Sequence, residues 1–151
     1  MTIKLSSLET DIKAEADGEW VPIKEWIGLN PDQPYMPVQL PGLEFHVKSL
    51  NDHAYKVARQ KAAEELEKQK KDYPDEAIPD EVAGAAEGKI LADHIVLGWR
   101  GFDVEYSPET AAKALPKPAS RTLRQMVLWC ASKVGRREVE FVTEAAEKLG
   151  K

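Results

Sequence analysis

The stretch from Leu91 to Thr110, LADHIVLGWRGFDVEYSPET, constrains this chain more than any other. Ile90, Leu91, His94, Ile95, Leu97 and Gly98 recur at spacings of three and four, which predicts the buried stripe of a helix reaching about Leu97. Gly98 and Gly101 are then expected at positive φ, so that the chain leaves the helix sharply while Trp99 and Phe102 turn inward. Ser107 is placed to cap the free amides of a following helix, with Pro108 at the first helical position, where no amide hydrogen is needed. The segment reads as a hinge and a core plug in one.

Upstream, Trp20, Ile23, Trp26 and Ile27 suggest one strand, followed by the proline-rich loop GLNPDQPYMP and a second strand around Met36 to Leu40. Pro41-Gly42 marks a turn. Beyond it Leu43, Phe45 and Val47 alternate with Glu44, His46 and Lys48, the clearest strand in the chain, with one dry face and one wet one. Pro22 and Pro37 confine their strands to sheet edges. From Asn51 or Ser49 as cap, Tyr55, Ala58, Ala62, Leu66 and Gln69 define a helix reaching about Lys71, and Pro79-Asp80-Glu81 opens an antiparallel partner. Ser107 to Leu115 forms a short helix closed by Pro116-Lys117-Pro118. Ser120 then caps the most regular amphipathic pattern, with Leu123, Met126, Val127, Cys130, Ala131 and Val134 inward. Gly135 ends it, and Val139, Val142, Ala146 and Leu149 predict a last helix. The fold class is α+β: a small N-terminal antiparallel sheet packed on about five helices, mostly helical, with residues 1–17 a loose arm or marginal strand and 18–151 a single domain.

Charge is distributed unevenly. Residues 1–50 carry a net −4, residues 51–116 a net −5 and residues 117–151 a net +4, which together give the chain's −5. An acidic balance disfavours non-specific binding to nucleic acid or anionic membranes. No apolar stretch approaches the length of a membrane span, and the first twenty residues lack the apolar core of a secretion signal. The lone cysteine, Cys130, has no partner in the chain and suits a reducing compartment.

Chemistry-bearing patterns are sparse. His46, His53 and His94 contain no pair at i, i+4, so a metal site is not expected, and Cys130 sits in an apolar helical stripe where a thiol is inert. Gly98-Trp99-Arg100-Gly101 is too short and bulky to cradle a phosphate. Two surfaces stand out as candidates for partner binding. Trp26, Tyr35 and Met36 form an apolar set in the proline-rich region, whereas Trp99 and Trp129 are expected in the core. Arg121, Arg124, Arg136 and Arg137, with Lys133, surround a pair of helices joined at Gly135. Such a pair fits either an acidic protein surface, a neighbouring copy included, or a helix-turn-helix DNA reader.

Four motifs in order carry a resemblance: Gly18-Glu19-Trp20-Val21, Phe45-His46-Val47-Lys48-Ser49-Leu50, the run from Leu91 to Gly101 with Trp99 inside it, and Tyr106-Ser107-Pro108-Glu109. Together they resemble the small tail assembly chaperones of long-tailed phages and prophages, over about Gly18 to Ala131. The resemblance implies a non-enzymatic protein without cofactor, metal or membrane, acting in the host bacterial cytoplasm and absent from the mature virion. Its partners would be the tape-measure protein and the major tail-tube protein. It also implies a longer frameshifted product, for which Gly150-Lys151, a dipeptide that a slippery codon run can encode, is the expected slip point. The competing classes are a helix-turn-helix regulator and a structural tail or head-completion protein of the virion.

Overall fold

The alternation of Leu43 to Lys48 becomes strand β5 (Glu44–Val47), the middle strand of an antiparallel sheet ordered β2-β5-β6, with β2 spanning Glu19–Pro22 and β6 spanning Val96–Arg100. The computed structural model describes residues 1–75 and 77–143. Phe45 and Val47 point into the core, fully buried, and meet Val21 and Ile23 of the first strand region and Val96 and Trp99 of β6. Helices α3 (Asp80–His94), α4 (Pro108–Ala114) and α5 (Arg121–Lys133) complete that core with Leu91, Ala111, Leu115, Met126, Val127, Cys130 and Ala131. This is the α+β class expected, with five helices among the described residues: α1 (Ile12–Asp17), α2 (His53–Gln69) and the three just named.

The stretch that read as helix to Leu97 divides differently. Helix α3 ends at His94, and Val96–Arg100 is a strand. Val96 pairs with Val47 and Gly98 with His46, which leaves Leu97 as the extra residue of a β-bulge. The bulge puts the inward residues Val96 and Trp99 three apart, a spacing that imitates a helical stripe. Gly98 is not at positive φ, and it lies in the strand beside the Trp20 ring, which an added Cβ would meet at 3.4 Å, ordinary contact distance. Gly101 does take positive φ (96°), and there a Cβ would lie 2.6 Å from the Gly42 carbonyl oxygen. Trp99 is buried and its indole N–H donates to the Val104 carbonyl at 2.9 Å, while Phe102, half outside, meets Trp99 edge-on at 5.6 Å. The tongue after β6 is thus a cap closed over Trp99.

Helix ends follow the sequence unevenly. Ser107 caps α4 as expected, its Oγ accepting from the Thr110 amide. Asp52, rather than Ser49 or Asn51, caps α2 through the Tyr55 amide, and Ser120 holds the cap position of α5 without a side-chain bond. What ties α5 to the rest is Arg124. Its side chain is buried and donates from Nη1 to the carbonyls of Leu115 (2.8 Å), at the end of α4, and Lys117 (2.7 Å), in the turn that follows. Gly84 and Gly88, one turn apart on α3, make the flat surface that this corner lies against.

The predicted last helix is not formed over its described part. After Gly135 (φ 78°) residues 136–140 form neither helix nor strand, and Phe141–Val142 forms β7, paired with β1 (Thr2–Ile3). Ala146, Leu149 and the Gly150-Lys151 slip point lie outside the described residues. The arm at residues 1–17 is tied down at several points. The Asp11 amide donates to Gly135 and the Asp11 carboxylate pairs with Arg137 at 3.1 Å. Glu15 accepts from the Ser49 hydroxyl (2.6 Å) and the Asn51 amide (2.8 Å). These bonds hold both carboxyls below their usual range: Asp11 chiefly through the Ala14 amide and then Arg137, Glu15 chiefly through Ser49 and then Asn51.

Candidate protein-binding surfaces

Two strands of two residues, β3 (Glu25–Trp26) and β4 (Val38–Gln39), hold out the loop at residues 27–37, in place of the longer strands expected on either side. The loop is shaped by its own polar groups. Gly28 takes φ 95°, the Asn30 side chain accepts from the Asp32 amide, and the Met36 amide donates to the Gln33 carbonyl. On this frame Tyr35 (89% exposed), Met36 (56%) and Ile27 (58%) stand in solvent. Trp26, at the base, is half-buried and meets Trp129 of α5 edge-on at 6.1 Å. Trp129, expected in the core, is 39% exposed. One helical step from Cys130 turns it out of the buried stripe, and Lys133 covers part of its ring. Ile27, expected with Trp20, Ile23 and Trp26 in one strand, instead stands exposed at the start of the loop; only the crowding of prolines downstream hinted at it.

The basic face is divided. Arg121 is exposed and paired with Asp80 of α3 at 2.9 Å, Arg137 is paired with Asp11, and Arg136 is exposed. Arg124 does not belong to this face, because it is buried and its guanidinium is spent on backbone carbonyls. Nor is there a second helix for a helix-turn-helix reader in the described residues after Gly135, where β7 is the element that follows.

A third surface was not singled out by sequence. Helices α2 and α3 pack side by side, leaving on one flank a groove of about 470 Å³ lined by Leu50, Ala62, Leu66, Ile90 and Leu128. Arg59 and Glu87 stand at its sides. Only Tyr55 of α2 is fully buried, at the end where the helix meets the sheet.

No group of three or more potential metal ligands occurs among the described residues. His46 stacks on Trp20 at 5.0 Å, and Arg100 lies over the same indole at 3.8 Å, so the outer sheet face is closed by its own side chains. Burial pushes the Cys130 thiol up to about 12. A maleimide at pH 7.5 is therefore expected to leave the native chain unmodified and to label it fully in denaturant; labelling of the native chain would place the thiol at the surface. Because the unfolded thiol ionises first, near 9, stability should also fall as pH rises from that value toward 12. No described helix is long and apolar enough to cross a membrane.

The four motifs that carry the tail-chaperone resemblance map onto β2, β5, the α3–β6 junction and the cap of α4. Val21, Phe45, Val47, Leu91 and Trp99 of these motifs lie in the core. Residues 50–148 match a family model described as YdaY prophage protein. No curated protein and no solved structure matches the chain.

Proposed function

The chain belongs to the YdaY prophage protein family, and from that premise we propose that it is a non-enzymatic tail assembly chaperone. On this reading it keeps the tape-measure protein soluble and recruits tail-tube subunits in the host cytoplasm. The exposed apolar residues of the β3–β4 loop are the observation that carries the proposal. A fold that has a core to hide them in nevertheless holds Ile27, Tyr35 and Met36 out on an ordered loop, which is how a protein engages an apolar partner. A long helical client exposes apolar stripes of its own, and Trp26 with Trp129 extends the contact down the side of α5. The prophage family and the four motifs supply the phage context.

Co-expression with the tape-measure protein of the same prophage tests the reading. The client is expected in the soluble fraction and to co-purify. Tyr35→Asp with Met36→Asp should lower the recovered complex by about tenfold, the equivalent of losing one modest apolar contact at the centre of an interface. Reversal of Arg136 should have a smaller and salt-sensitive effect. An insoluble client despite abundant partner would sink the proposal. Recovery of the chain in purified particles would make it a virion component instead.

A further inference from the structure

Helix α2 is seventeen residues long and buries a single side chain fully, Tyr55. Most helical stability in proteins comes from packing an apolar face against the rest of the fold. Helix α3 covers only part of that face, and the flank beside it opens into the groove floored by Leu66, Ile90 and Leu128. Along this flank three residues follow one another at four-residue intervals: Arg59, Ala63 and Glu67. Each step of four turns the direction by only about 40°, so the three form one slowly winding row. Arg59 and Ala63 line the groove and Glu67 lies beyond it; all three are exposed. Neither Arg59 nor Glu67 is in an ion pair among the described residues.

A row that reads cation, small residue, anion at equal spacing is its own complement when a second copy runs antiparallel. We propose that the chain forms a two-fold dimer in which α2 crosses α2 of a second copy at Ala63, covering the groove. The axis sets Arg59 of each copy opposite Glu67 of the other, so that two ion pairs form from one pattern, as an isologous interface requires. Ala63 at the crossing lets the helices approach closely, and the apolar floor beside it loses its water. A parallel arrangement would set Arg59 against Arg59. Helix α2 and the β3–β4 loop are separate elements, so the dimer does not depend on what the loop binds.

Sedimentation equilibrium on the full chain is the test. The wild type is expected to dimerise, and Arg59→Glu or Glu67→Arg alone should weaken the dimer by at least about tenfold, because each places two like-charge pairs across the axis. An equimolar mixture of the two variants should recover a dimer containing one of each, and the double variant should recover a homodimer. Circular dichroism of each variant should match the wild type, since both residues are exposed. A wild type that stays monomeric, single variants that dimerise unchanged, or a mixture that fails to recover would each overturn the proposal.

Discussion

Replacing Trp99 by alanine is expected to cost the fold about 3–5 kcal/mol, the range for truncating a large aromatic in a core. The ring is enclosed by Phe102 and Tyr106 edge-on at 5.6 and 5.2 Å. Its N–H holds the Val104 carbonyl, so the truncation empties a volume and also frees the tongue that closes over it. Trp99→Phe keeps much of the packing while losing the hydrogen bond and the volume of the second ring, so it should fall between the wild type and the alanine variant. Urea melts give the answer. A loss under about 1 kcal/mol for the alanine variant would mean that the tongue does not depend on the indole.

The second large effect is expected from a single methyl group. A Cβ on Gly88 would lie 2.3 Å from the Leu115 oxygen, 2.4 Å from its carbonyl carbon and 2.5 Å from the Pro116 nitrogen. All three are backbone atoms held in the corner that Arg124 ties down, so none can swing away as a side-chain end would. Alanine is the better helix former by about 1 kcal/mol. Overpacking outweighs it here, and Gly88→Ala should lose about 2–3 kcal/mol net. Gly84→Ala is the comparison. Its Cβ meets only the guanidinium end of Arg124, at 2.7 Å, and its cost should stay within about 1 kcal/mol. Equal thermal shifts for the two variants would show that the seam between α3 and the α4–α5 corner yields easily.

These two sites also show what the sequence could and could not reveal. The period-2 alternation around Phe45 and the amphipathic stripe of α5 are local patterns, and both elements formed where the patterns lie. The cap at Ser107 is equally local. Strand β6 was hidden because a bulge at Leu97 replaced a spacing of two by one of three, which only the partner strand can reveal. Strand β7 was hidden because its partner is β1, at the far end of the sequence. Arg124 lies three positions from Arg121 and reads as part of the same basic face, but its environment is set by the end of α4, which no periodicity of α5 records. Among the candidate contact residues, Tyr35 and Met36 were legible because prolines flank them. Ile27 was not, since an apolar residue directly after Trp26 looks the same at the end of a strand and on a loop.

The helical hairpin between β5 and β6 bears on the order in which the chain assembles. The Lys48 amide donates to the Ile95 carbonyl at 3.0 Å, so two points almost fifty residues apart must meet before the sheet has its third strand. A flexible chain would close such a loop against a considerable entropy. Helices α2 and α3 form from near neighbours and fold the intervening stretch back on itself, so the ends arrive close together and already oriented. Contacts between the two helices therefore belong to an early step, and weakening them should slow refolding more than it speeds unfolding. The pairing of β1 with β7 draws on the most distant residues and comes late, which places the arm among the first parts to open when the folded chain fluctuates.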